Sequence, residues 1–313
     1  MKKDNQSCVT EILFLGFSDF QAMKVLLFLL ILIFYLIALI GNSLILILSS
    51  TDPTLHTPMY FFLRTLSVLE IGYTCTIVPK TLQHLLSESQ TISFVGCGIQ
   101  MYFFILFGIT ECCLLAVMAY DRYIAICKPL QYSCIMNHRE CIQLASISWA
   151  TGIFVAFGQS ISIFTLPFCG PNRINHFFCD LLPVLRLATE DTFRNEVAVA
   201  TVTVVFVTVP FLLILLSYVL IIATVLMMPA AENRRKAFST CSSHLVVVSL
   251  FYGTITFTYI RPKSMYSLNS DRILSLLYTV VIPAFNPVIY SLRNKEIKAA
   301  FRKAIGRRKA LLS

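Results

Sequence analysis

VLLFLLILIFYLIALIGNSLILILSST, residues Val25 to Thr51, contains no Asp, Glu, Lys or Arg. A helix rises about 1.5 Å per residue, so roughly 20 apolar residues cross the hydrocarbon core of a bilayer. The run is longer than that. A segment immersed in lipid must satisfy its own backbone hydrogen bonds, which leaves helices and closed barrels. Barrel strands alternate apolar and polar residues, and this run does not. It predicts a transmembrane helix.

Working outward, the same absence of charge holds from Cys141 to Asn172, Val197 to Ala231, Ala237 to Ile260 and Ile273 to Leu292. Two further spans are apolar and long enough but carry ionisable residues. Pro58 to Leu82 holds Arg64 and Glu70, with Lys80 near its far end, and Ser93 to Cys127 holds Glu111 and then Asp121-Arg122. Seven spans predict an all-α membrane protein, a seven-transmembrane helix bundle with its termini on opposite sides. Composition agrees: 57% hydrophobic and 13% charged, against about 45–50% and 25% in soluble chains. The expected organisation is an outer segment 1–24, a bundle 25–292 and an inner tail 293–313.

Basic residues orient the bundle. The tail carries Arg293, Lys295, Lys298, Arg302, Lys303, Arg307, Arg308 and Lys309 against Glu296 alone, and Arg234, Arg235 and Lys236 precede the sixth span. The C-terminus is therefore expected inside and the N-terminus outside, at the plasma membrane. The net charge of +9 suits anionic membrane lipid as a partner. Nucleic-acid binding would need a soluble basic domain, and none is read. Asn5-Gln6-Ser7 is a glycosylation acceptor on the expected outer side. The first apolar run has the length of a full span, so it is expected to act as its own insertion signal. In the tail, Ile297, Ala300, Phe301 and Ala304 share one helical face opposite basic residues, predicting an interfacial helix over Lys295 to Ile305 with a frayed end from Arg307. Pro79, Pro210, Pro283 and Pro287 predict kinks within spans.

Charges inside a span are costly and default to function. Glu70 and Glu111, in neighbouring spans, are expected to face the bundle interior and share a cation, with Na⁺ preferred, or a proton. Asp121-Arg122-Tyr123, at the inner end of span three, pairs an arginine with a neighbour that could release it.

Four strings carry a resemblance. Leu55-His-Thr-Pro-Met-Tyr60, Met118-Ala-Tyr-Asp-Arg-Tyr-Ile-Ala-Ile-Cys127, Lys236-Ala-Phe-Ser-Thr-Cys-Ser-Ser-His-Leu245 and Pro283-Ala-Phe-Asn-Pro-Val-Ile-Tyr290 resemble the signatures of vertebrate odorant receptors, a branch of the rhodopsin-like G-protein-coupled receptors. The likeness runs from about Phe14 to Arg302. It implies a receptor for a small volatile ligand that activates a stimulatory heterotrimeric G protein and raises cyclic AMP. It also implies a switch in which Arg122 leaves Asp121 beside Tyr123, Tyr218 and Tyr290. Asn286-Pro287 would then be a hinge, with Lys236, His244 and Tyr252 on the moving sixth span. A Cys97–Cys179 disulfide is implied as well. The family's second bridge, from Cys169 to a cysteine near position 189, lacks its partner because this chain has Thr189; Cys8 is the other clearly extracellular thiol. The family's second-span acid is ordinarily Asp, where this chain has Glu70.

Family alignment places a pocket among Phe104, Ile105, Gly108, Ile109, Val202, Thr203, Phe206, Ile255, Tyr259, Leu276 and Thr279. None is charged, which predicts a neutral ligand. No cofactor is expected. His176-Phe-Phe-Cys179-Asp180 would suit a soft metal only if Cys179 kept its thiolate. The chain has no HExxH, GxSxG or Walker loop, which argues against an enzyme. No lysine lies within span seven to hold retinal, and no inverted repeat suggests a transporter. The remaining rival is a rhodopsin-like receptor for another small ligand, such as a lipid metabolite.

Overall fold

Local side chains set where the helices begin. Ser93 Oγ accepts from Gly96 N–H at 3.1 Å to open one helix, and Asn137 Oδ1 accepts from Glu140 N–H at 3.0 Å to open another. Pro58 sits in the first turn of a third, where its missing N–H costs nothing. The computed structural model describes residues 9–17, 23–87, 90–259, 268–292 and 295–312. Among these, seven helices are long and apolar enough to cross a membrane. They are α1 (Lys24–Thr51), α2 (Pro58–Leu86), α3 (Phe94–Cys127), α4 (His138–Phe164), α5 (Phe193–Leu226), α6 (Ala231–Tyr259) and α7 (268–292), followed by α8 (Lys295–Leu312).

Helix α3 is the most buried span and α1 the least. On α1, Leu26, Ile33, Ile40 and Ile47 are each 53–67% exposed and fall seven residues apart, an apolar ridge that only lipid can cover. The opposite face packs inward. A Cβ on Gly41 would stand 2.7 Å from Pro287 Cγ, so glycine lets α1 reach α7. Gly152 does the same between α4 and α3, where a Cβ would meet Leu106 O at 2.7 Å. The chain is a multi-pass membrane protein.

Two π-helical turns interrupt the bundle, at Val204–Thr208 in α5 and Leu277–Val281 in α7. Each precedes a proline, Pro210 or Pro283, that cannot donate to the preceding turn and crowds its carbonyl; the wider turn relieves this. Pro287 likewise leaves the Pro283 carbonyl without its helical donor. Asn42 Nδ2, from α1, donates to that oxygen at 3.4 Å.

The sequence reading had no strands, but one end of the bundle carries a small sheet. β1 (Glu11–Phe14) lies between β2 (Thr91–Ser93) and β3 (Arg173–Ile174). β1 runs antiparallel to β2, pairing Ile12 with Ile92, and parallel to β3, pairing Phe14 with Ile174. The tail helix also differs from expectation: it continues past Ile305 to Leu312 rather than fraying at Arg307. Its near end is held to the bundle, for Tyr60 donates to Glu296 Oε2 at 2.6 Å and Lys303 Nζ lies 3.2 Å from Asp52 Oδ2.

Candidate functional site

A cavity of about 70 Å³ opens between α3, α5, α6 and α7 toward the sheet end. One water occupies roughly 10–15 Å³ on this scale, so the space suits a small volatile and not a peptide. Phe104, Ile105, Gly108 and Ile109 face it from α3, Val202 and Thr203 from α5, and Ile255 and Tyr259 from α6, as the sequence placed them. Phe206, Leu276 and Thr279 do not line it. In their place stand Val207 on α5 and Tyr278 on α7. Thr279 is instead fully buried against its own helix, donating to Ser275 O at 2.6 Å. Tyr73, Cys112, Gln159, Leu181 and Val199 also line the space. They come from α2, the loop and unanticipated turns of α3, α4 and α5, which a short alignment does not reach.

The roof is the α4–α5 connection. Cys97 and Cys179 are disulfide-bonded, with Cα atoms 5.5 Å apart, pinning that connection to the start of α3. Gln100 reinforces the pin: its Oε1 accepts from Cys179 N–H at 2.9 Å while its Nε2 donates to Thr76 O at 3.1 Å. Cys179 therefore offers no thiolate to a soft metal. Asp180, one residue on, caps the short helix Leu181–Leu185 by accepting from Leu181 N–H at 2.7 Å. The same oxygen accepts from Tyr259 Oη at 2.6 Å. Burial pushes the Asp180 carboxyl up to about 6, and the hydrogen bonds from Tyr259, Leu181 and Tyr278 hold it from rising further. None of the pocket residues expected from the sequence is charged, yet this carboxylate stands directly behind a pocket hydroxyl. His176 is buried beneath the roof, 3.0 Å from Ser275 Oγ, and burial pushes its imidazole down to about 3.

Midway through the bundle, Asn286 Nδ2 donates to Glu70 Oε1. Glu70 Oε2 and Asn286 Oδ1 are buried with no partner among the described residues. Glu111 stands close enough to Glu70 for their charges to interact. Orphaned acceptors beside a second carboxylate fit a cation or a shared proton. Tyr252 links this level to the cavity floor, donating to Cys112 O at 2.9 Å.

At the end opposite the sheet, Arg122 Nη2 lies 3.3 Å from Asp121 Oδ2, and Tyr132 donates to the other Asp121 oxygen at 2.8 Å. Tyr218 Oη and His244 Nδ1 are 2.7 Å apart, joining α5 to α6. Tyr290 Oη and His244 Nε2 are buried without a partner among the described residues. Tyr123 is half-buried beside them. Pro287 sits inside α7, which continues as helix to Leu292. The side chain of Lys236 and the whole of Asn5 lie outside the described residues.

These features define a seven-helix membrane protein with an apolar cavity toward one end and the Arg122–Asp121 ion pair at the other. Squid rhodopsin shares the fold, with a TM-score of 0.74 and 17% identity over 91% of this chain and 86% of that one. Residues 31–308 match the olfactory receptor family. Human olfactory receptor 10C1 is 55% identical, covering 96% of both chains, and human olfactory receptor 10P1 is 52% identical, covering 99% of both. The chain belongs to the olfactory receptor family of G-protein-coupled receptors and is not an enzyme.

Proposed function

We propose that this receptor binds a small neutral volatile in the cavity between α3, α5, α6 and α7 and activates a stimulatory heterotrimeric G protein to raise cyclic AMP. In this reading the sheet end and Asn5 face outside, where Asn5 is glycosylated. The basic tail meets anionic lipid inside.

The observation that carries the ligand class is the lining itself. It has no charged side chain, and two of its hydroxyl hydrogens are already committed. Tyr259 donates to Asp180, and Thr203 donates to Val199 O at 2.9 Å. These oxygens remain free to accept. Alcohols therefore lead the expected agonists, ahead of aldehydes, esters and ketones, with apolar contact supplying most of the affinity. Micromolar potency is expected.

On the opposite face, Arg122 leaves Asp121 and meets the G protein as the inner half of α6, with Lys236 and His244, swings outward. Tyr218, Tyr290 and Tyr123 reorganise around it, and Tyr252 and Asn286-Pro287 relay the cavity's state. Glu70 and Glu111 share Na⁺ in the resting receptor, the orphaned Glu70 and Asn286 oxygens being its supporting ligands. Dose–response of cyclic AMP to a panel of neutral volatiles, in cells expressing the chain, tests the whole reading. Agonism confined to charged ligands, or no G-protein response to any volatile, would sink it.

A further inference from the structure

On α4, Ser148, Gly152, Ala156, Gln159 and Ile163 fall three or four residues apart and belong to the buried face of the helix. Small residues bring this face close to α3, and a Cβ on Gly152 would stand 2.7 Å from Leu106 O. Gln159 is the exception on the stripe, a long polar side chain that is only 7% exposed. It lines the ligand cavity from α4.

A buried amide is costly unless both of its ends are hydrogen-bonded. Gln159 makes one bond among the described residues, from Nε2 to Ala198 O on α5, and at 3.5 Å that bond is long. Exchanging the amide's nitrogen and oxygen would set two acceptors face to face, so the orientation is settled. One amide hydrogen and Oε1 are left over. The hydroxyls that share the cavity each offer a single oxygen, and those of Tyr259 and Thr203 have already given their hydrogens to Asp180 and to Val199 O. Among the lining residues, Gln159 alone presents a donor and an acceptor side by side on separate atoms of one planar group.

We propose that Gln159 is the polar anchor of the cavity and selects neutral volatiles with a carbonyl and a hydroxyl on adjacent carbons, the α-hydroxyketones. The free amide hydrogen donates to the ligand carbonyl, and Oε1 accepts from the ligand hydroxyl. The alkyl remainder lies against the apolar walls supplied by α3 and α5. This ligand class rests on the neutral-volatile reading above and narrows it, because a plain alcohol or ketone satisfies only half of the amide. A site that leaves a buried polar group unpaired with the wrong ligand discriminates by that shortfall.

The test is a set of cyclic AMP concentration–response curves for an α-hydroxyketone and for the ketone and alcohol of the same chain length, on full-length receptor at matched surface expression. In the wild type the hydroxyketone should lead the other two by about fivefold or more. Gln159→Met keeps the unbranched reach and removes the amide, so the hydroxyketone should lose about tenfold in potency while the alcohol moves less than about twofold. An equal loss for all three compounds would make Gln159 a brace between α4 and α5 and overturn the assignment. An unchanged hydroxyketone potency in the variant overturns it as well. Should Gln159→Met not reach the surface, Gln159→Leu takes its place, and the wild-type ranking decides without any variant. A wild type that answers the alcohol but gives the hydroxyketone no advantage removes the role of Gln159 alone. A wild type silent to all three removes the neutral-volatile reading, and the hydroxyketone assignment with it.

Discussion

Tyr259, on α6, donates its hydroxyl proton to Asp180, in the roof of the cavity, at 2.6 Å. The contact joins α6 to a pinned loop and fixes which face of the hydroxyl a ligand can meet. Tyr259→Phe removes one oxygen and almost no volume. It also strips a donor from a buried carboxylate, where hydrogen bonds to charge are worth about 1.5–3 kcal/mol. Potency of alcohol agonists should fall about tenfold or more in concentration–response curves, while ether or hydrocarbon-like analogues shift less. An equal shift for both classes would mean that Tyr259 acts only through the roof.

The roof also titrates. Asp180 is raised to about 6, so its contribution to stability is full below its unfolded value near 3.8 and is lost as pH rises through 6. His176, lowered to about 3, has the opposite sign: its contribution is full above about 6.5 and declines as pH falls toward 3. Wild type and Asp180→Asn should therefore be compared at each pH. The stability difference in purified receptor should move toward the wild type by on the order of 1 kcal/mol between pH 7.5 and 5. A pH-independent difference would show that Asp180 is not raised.

Cys97→Ser and Cys179→Ser should each abolish surface delivery, since losing such a bridge costs about 2–5 kcal/mol. Surface staining of unpermeabilised cells reads this directly. Normal staining of either variant would remove the roof's main anchor from the account.

Arg122→Ala should leave the receptor inserted and at the surface but silent in cyclic AMP assays. Its guanidinium is held by Asp121 at 3.3 Å, far from the cavity, so ligand binding should survive. Signalling at wild-type strength would refute the role given to this arginine.

The spans were legible because lipid forbids charge, and a gap in charge is visible in one sequence. Helix ends were less so, since a gap marks hydrocarbon and not helix. Cys141 to Asn172 has no charge, yet α4 stops at Phe164 and the remainder is loop. Strands of two to four residues, such as β3, are too short to show a period. Phe104 and Gly108, on the unbroken α3, line the cavity, whereas Phe206 and Thr279, inside π-turns that local composition does not announce, do not. The Asp180–Tyr259 bond joins residues far apart in the chain and carries no local signal.

Gly108 offers the most direct test of the central claim, that an odorant occupies this cavity. It lines the space, and a Cβ placed on it would meet nothing within 4 Å. Leucine can therefore enter without displacing backbone, filling room that the ligand needs and improving the helix. Each buried methylene is worth about 0.8 kcal/mol, close to fourfold in affinity, so a homologous series of straight-chain alcohols acts as a ruler. Cyclic AMP responses to that series should be measured in wild type and Gly108→Leu at matched surface expression. The expected result is that the variant loses its longest agonists at least tenfold in potency and shifts its optimum to shorter chains. An unchanged optimum and unchanged potencies would contradict the placement of the ligand in this cavity.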